Sequence, residues 1–159
     1  MIWTFHKFDK KFDRTKFDCG ELALNDYLRK QMSQDVDRKA NVPTLAVNSQ
    51  DEVIGYYTLS NGAVEFANFP AILKKQIAPY PVPIARIGRL AVDNSTKGQG
   101  LGRELLFHAI DKVEQLSKEI GIRAIVVDAK NPSAEAFYLK YGFQYLHIAG
   151  ARKSLFLII

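Results

Sequence analysis

Arg89-Leu90-Ala91-Val92-Asp93-Asn94-Ser95-Thr96-Lys97-Gly98-Gln99-Gly100-Leu101-Gly102-Arg103 is the stretch on which the reading of this chain turns. An apolar run with β character, Ile84 to Val92, precedes it, and a long amphipathic pattern from Leu101 to Ile120 follows. Between them glycines stand at alternate positions, 98, 100 and 102, with the cations Lys97 and Arg103 at the two ends. A strand, a glycine-rich turn and a helix start make an anion cradle. Glycine reaches φ values that aim successive main-chain amides at one point, and the helix start adds unpaired N–H groups and the positive end of its dipole. The spacing is neither that of the nucleotide-kinase loop nor Gly-x-Gly-x-x-Gly. The bland alternative is a glycine-rich turn that only connects strand to helix.

Working outward, the chain reads as a single mixed α/β domain spanning residues 1–159, with no linker, repeat or low-complexity tract. Residues 1–18 carry Trp3, Phe5, Phe8, Phe12 and Phe17 among Lys, Arg and Asp; the start reads as a strand and the rest as an irregular basic segment. Asp18-Cys19-Gly20-Glu21 has capping-box spacing, with Asp18 as the expected cap of a helix that buries Leu24, Leu28 and Met32. Thr44–Val47 and Val53–Leu59 read as a hairpin around Asn48 to Glu52, and Gly62 to Phe66 continues the sheet. Prolines 70, 79, 81 and 83 mark a loop holding a short helix near Ile72 to Ile77. The helix after the cradle is expected to bury Leu101, Leu105, Ala109, Ile110, Val113, Leu116 and Ile120, and to end at Gly121. Ile122 to Ala129 is apolar enough for an interior strand. Asn131-Pro132 starts a short helix ended by Gly142, and Phe143–Ile148 pairs with Lys153–Ile159 across Gly150.

The single cysteine, Cys19, excludes an internal disulfide and any cysteine-rich metal site, and points to a reduced, cytoplasmic setting. No apolar run approaches the ~20 residues of a membrane span. A net charge of +5 favours an anionic partner.

Lys97-Gly98-Gln99-Gly100-Leu101-Gly102 resembles the pyrophosphate loop of the GNAT N-acetyltransferases, with Lys97 where that family usually has Gln or Arg. Asn131-Pro132-Ser133-Ala134-Glu135-Ala136-Phe137-Tyr138-Leu139-Lys140-Tyr141-Gly142-Phe143 is similar to the last motif of the same family. The resemblance implies a GNAT acyltransferase fold, a central mixed β-sheet flanked by helices, and acetyl-CoA as co-substrate with no metal. It implies cofactor contacts from Leu90, Ala91, Val92, Lys97, Gly98, Gln99, Gly100, Leu101, Gly102, Arg103, Asn131 and Phe137. Tyr138 takes the role of general acid in that family; residue type alone leaves it equally a core aromatic, as Tyr141 is read here. Asn131 also reads as a helix cap. None of His6, His108 and His147 lies in a motif, and Glu65 serves as a base only if the fold points it inward.

Phe17 to Glu21, Leu24 to Leu28, Gly55 to Leu59, and Tyr80 to Pro83 running into Arg89–Asp93 resemble the GNAT toxins of bacterial toxin–antitoxin pairs. That likeness implies acetylation of the α-amine of aminoacyl-tRNA, a block of translation, and neutralisation by a ribbon-helix-helix antitoxin. It leaves monomer and homodimer both open. Arg86 and Arg89 are then phosphate contacts for the tRNA, against the default of surface or salt-bridged arginines. Two other readings stand beside it: an acetyltransferase of a protein or small-molecule amine, and a non-catalytic CoA-binding interaction module.

Overall fold

The turn expected around Asn48 forms because it supplies its own hydrogen bonds. Asn48 Oδ1 accepts from the amides of Gln50 and Glu52, both at 3.0 Å. Asp51 takes a left-handed φ of 59°, a conformation Asp tolerates better than most residues. In this computed structural model, which describes residues 2–148 and 153–159, the turn joins β2 (Val42–Asn48) to β3 (Val53–Val64) as antiparallel neighbours. β1 (Trp3–Lys7) pairs antiparallel with β2. The run from Gly62 is the end of β3 itself.

β4 (Val82–Val92), β5 (Ala124–Ala129), β6 (Gln144–Tyr145) and β7 (Lys153–Ile158) complete a sheet of order β1-β2-β3-β4-β5-β7-β6. β5 runs parallel to β4, Ile84 opposite Ala124, and antiparallel to β7. The sheet is therefore mixed, as expected. β5 buries Ala124 to Val127 on both faces, which explains its unbroken apolar sequence. The turn across Gly150 lies outside the described residues.

The helices are α1 (Leu22–Asp26), α2 (Met32–Asp37), α3 (Leu101–Leu116) and α4 (Pro132–Lys140). α1 and α2 are joined by a π-helical turn, Tyr27–Gln31, in which the Met32 amide donates to Tyr27 O. Two expectations about the helices need correction. Asp18 does not cap α1: the cap position falls on Glu21, with no side-chain cap bond. The Asp18 carboxylate instead accepts from the Gly20 amide and from Asn25 Nδ2, because Gly20 turns at a φ of 90° before the helix begins. On α3, Leu116 and Ile120 are exposed, since the helix stops at Leu116 and the apolar pattern outruns it. Leu106 is fully buried in their place.

The chain forms two compact units. The first comprises the chain up to Ser60 with Gly88–Ala109. Its core gathers Phe12, Phe17, Tyr27, Leu28, Met32, Leu45, Val53, Tyr56 and Ala91. The second comprises Asn61–Ile87 with the chain from Ile110 on, cored by Phe69, Ile77, Val82, Ile84, Val126, Leu146 and Phe156. Each large side chain sealed in this way contributes about 1.5–3 kcal/mol. Among the described residues no helix is long and apolar enough to cross a membrane.

Candidate active site

In the first unit the cradle grows from the end of β4 and is tied down by Asp93. Asp and Ser two residues apart favour a side-chain-bonded turn, and the Asp93 carboxylate accepts from both the amide and the hydroxyl of Ser95. Its other oxygen accepts from the Asp18 amide at 2.8 Å, while the Asn94 amide returns a bond to Asp18 O at 2.8 Å. The Asp93 amide donates to Ile54 O. Thr96, fully buried, closes the turn through its hydroxyl onto Asp93 O at 2.9 Å. Gly55 on β3 lets α3 approach closely: a Cβ there would meet Leu105 Cδ1 at 3.0 Å, Leu101 Cδ2 at 3.1 Å and Ala91 O at 3.2 Å.

The loop then does what glycine permits. Gly98 and Gly100 have φ of 80° and 88°, and a Cβ on either would meet nothing within 4 Å, so their amides border open space. Gly102 is different, since it already lies in the first turn of α3. Glu104 makes the first helical bond, to Gly100 O at 3.1 Å. The amides of Gly98, Gly100, Leu101, Gly102 and Arg103 donate to no acceptor among the described residues. An array of free amides at a helix start, with an exposed Arg103, suits a diphosphate.

Side chains of the loop contribute less than the sequence suggested. The Lys97 ammonium donates to Cys19 O at 2.9 Å, so it braces the loop against the Asp18–Gly20 segment. Leu101 is 1% exposed, so its side chain is sealed in the core. Gln99 Nε2 donates to Ser95 O at 3.1 Å. Leu90 and Val92 are half-buried and Ala91 buried. Asp18 is held below the usual carboxylate range, first by the Gly20 amide and then by Asn25.

The two strand arginines part company. Arg86 pairs with Asp128 at 3.3 Å, the ordinary structural fate of such a residue. Arg89 lies flat on the Tyr27 ring, its guanidinium carbon 3.5 Å from the centroid.

In the second unit, Asn131 Oδ1 accepts from the Ala134 amide at 2.8 Å and caps α4, with Pro132 behind it. The capping role therefore holds. Phe137, half-buried, packs edge-on against Tyr138 and Tyr141, both at 5.2 Å. Tyr138 is 8% exposed and also packs on Phe143. Burial pushes its phenol up to about 12, and among the described residues its hydroxyl has no hydrogen-bond partner. A buried phenol of that kind holds its proton across the physiological range.

The histidines and Glu65 do not come together in one cluster among the described residues. His6 bonds Thr4, His108 Nδ1 bonds the Tyr57 hydroxyl at 2.7 Å, and Glu65 is exposed. Among the described residues no cluster of metal-ligating side chains occurs. Two contributors were missed in the sequence. Asp93 carries a legible signal, the Asp-x-Ser turn. Tyr27 carries none, because its pairing with Arg89 spans distant segments.

Residues 6–143 match the profile of the acetyltransferase (GNAT) family. A tRNA-acetylating toxin of Mycobacterium tuberculosis is 39% identical over 133 residues, covering 83% of this chain and 78% of its own length. The structure of AtaT complexed with acetyl-methionyl-tRNAfMet superposes with a TM-score of 0.91 at 32% identity, over 99% of this chain and 95% of that one. A tyrosine-to-phenylalanine variant of AtaT, bound to acetyl-CoA and the C-terminus of the antitoxin AtaR, superposes with a TM-score of 0.84. It is 30% identical, over 98% of this chain and 92% of that one.

Proposed function

This chain belongs to the acetyltransferase (GNAT) family, and from that premise we propose that it moves the acetyl group of acetyl-CoA onto the α-amine of an aminoacyl-tRNA. The observation that carries the reading is the set of unpaired amides at Gly98, Gly100, Leu101, Gly102 and Arg103. It occurs in a chain that shares 39% identity with a tRNA-acetylating toxin. Residues 1–159 make up one catalytic domain in this proposal, supported by a family profile that runs through both compact units.

Acetyl-CoA supplies the acetyl group as a thioester, together with a diphosphate. The amides of Gly98, Gly100, Leu101, Gly102 and Arg103 hold the diphosphate, assisted by the positive end of α3. Main-chain groups of Leu90, Ala91 and Val92 align the pantetheine arm as an added strand does. As the α-amine nitrogen bonds the acetyl carbon and the C–S bond breaks, Tyr138 gives its phenol proton to the departing thiolate, and the proton shed by the amine restores the phenol. An isolated thiolate, whose conjugate thiol ionises at about 8.5, would not readily take a proton from a phenol at about 12. A thiolate leaving in comparably dry surroundings is itself raised by desolvation. No base is assigned to the protein: an α-amine with a reference pKa of about 8 is about a tenth neutral at pH 7, far more than a lysine.

A net charge of +5 supports a tRNA acceptor, whose phosphates supply affinity to a basic surface. The AtaT–AtaR complex supports neutralisation by an antitoxin, which we assign to the ribbon-helix-helix type. A homodimer acting in the cytoplasm, where charged tRNA resides, completes the assignment.

The test is transfer of labelled acetyl from acetyl-CoA to total charged tRNA, wild type beside Tyr138→Phe. Label in the aminoacyl fraction that the substitution removes is the expected result. Tight acetyl-CoA binding without label on charged tRNA would overturn the assignment of the acceptor.

A further inference from the structure

Arg89 stands apart from the other cations of its unit. Its guanidinium is half-buried and lies 3.5 Å from the centre of the Tyr27 ring, a stacked approach that uses its flat face. Among the described residues no acceptor takes a hydrogen bond from it and no carboxylate pairs with it. Other cations of the unit are hydrogen-bonded to main-chain carbonyls: Arg29 to Phe17 O at 2.6 Å, Arg14 to Leu28 O at 3.0 Å, and Lys97 to Cys19 O. In the second unit Arg86 is neutralised by Asp128.

The ring beneath Arg89 is itself fixed. The Tyr27 hydroxyl donates to Asp35 Oδ2 at 2.8 Å and accepts from Asn41 Nδ2 at 2.8 Å. The ring also stacks on Tyr56, centroids 6.3 Å apart at 25°. Tyr27 also begins the π-helical turn, an uncommon backbone geometry that is found disproportionately at functional sites. A stacked guanidinium keeps its N–H edge free in one plane, which matches the bidentate geometry of a phosphate.

We propose that Tyr27 is a positioning residue that holds Arg89 flat, with its N–H edge presented to a phosphate group of a substrate. The inference rests on the acetyl-transfer reading above and adds the residue that makes one arginine a phosphate clamp. Two substrates carry that chemistry, the tRNA backbone and CoA.

Equilibrium binding separates them without requiring turnover. Deacylated tRNA and acetyl-CoA are titrated in turn against the full-length wild type, Arg89→Lys, Tyr27→Leu and Tyr27→Phe. Arg89→Lys keeps the charge and leaves the core untouched, so it remains informative if Tyr27→Leu folds poorly. Arg89→Lys and Tyr27→Leu are each expected to weaken the same ligand about three- to thirty-fold. Tyr27→Phe, which keeps the ring, should recover most of that loss. If tRNA is the ligand, Arg89→Gln should also flatten the salt dependence of log K by about 0.7–0.9. Weakening confined to acetyl-CoA assigns the clamp to a CoA phosphate instead. Unchanged affinity for both ligands in Arg89→Lys, or a loss in Tyr27→Leu that Tyr27→Phe does not recover, overturns the proposal. Because binding is read directly, absence of acetyl transfer to charged tRNA would sink the acceptor assignment alone.

Discussion

Tyr138→Phe separates chemistry from packing, because the proposed proton transfer and the observed packing fall on different atoms of one side chain. The ring packs between Phe137 and Phe143, and the phenylalanine ring fills the same space. The hydroxyl makes no hydrogen bond to the described residues, so its removal breaks none there. Stability should stay level or rise by about 1 kcal/mol, a shift of roughly 2–4 °C in Tm. Activity should fall about 10²- to 10⁴-fold in kcat, the usual weight of a general acid. The assay is single-turnover acetyl transfer at saturating acetyl-CoA, beside thermal unfolding of the same preparations. A second signature lies in pH. With the phenol at about 12, the wild-type rate should climb as the acceptor amine loses its proton near 8 and then stay flat to about pH 11. A variant that keeps more than a tenth of kcat would refute the acid assignment. A variant destabilised by several kcal/mol would show that the hydroxyl has a structural bond.

Gly100→Ala places a Cβ where φ is 88°, costing about 1–2 kcal/mol of backbone strain, and should raise KM for acetyl-CoA about tenfold or more in initial-rate assays. Asp93→Ala strips acceptors from the Asp18 and Ser95 amides; urea titration should show a loss of about 1–3 kcal/mol, and calorimetry a weaker acetyl-CoA isotherm. Gly55→Val drives side chain into Leu101 and Leu105 and should cost about 1–3 kcal/mol or more in chemical denaturation. Alkali should weaken the fold in a defined window. Tyr138 sits at about 12 when folded and about 10 when unfolded, so its contribution is intact below pH 10 and disappears between about 10 and 12 as the unfolded chain ionises first. That amounts to as much as about 3 kcal/mol, and urea midpoints at pH 8 and 11.5 should record it, with a smaller fall in Tyr138→Phe.

What was legible in the sequence was local. The glycines at 98 and 100, the Asn131-Pro132 helix start, the Gly142 stop and the hairpin at Asn48 each announce a backbone geometry that a few adjacent residues determine. The cradle was therefore visible as a cradle. What failed was local pattern carried past its warrant. Asp18 and Glu21 have capping-box spacing, yet the Asp18 carboxylate serves Gly20 and Asn25 because Gly20 turns the chain first. Leu116 and Ile120 extend the stripe of α3 beyond the last helical residue, while the stripe is broad enough to include Leu106. The bracing of the loop by Lys97, the pairing of Arg86 with Asp128 and the stacking of Arg89 on Tyr27 join residues far apart in sequence. No window of neighbouring residues encodes them. The four-residue recurrence of Leu24, Leu28 and Met32 even conceals the π-turn, since it reads as uninterrupted α-helix.

That turn has a consequence for how this segment tolerates change in length. An α-helix advances its side chains by about 100° per residue, so one additional residue shifts the angular phase of everything beyond it by about that much. The wide turn at Tyr27–Gln31 absorbs such a shift, which allows Leu28 and Met32 to seal the core while Tyr27 lies under Arg89. Trimming the segment by one residue would restore regular winding and leave the two faces out of phase, so that core and arginine platform compete for the same rotation. Insertions and deletions that pass unnoticed in most surface helices are barred here, and the helix has in effect a fixed gauge.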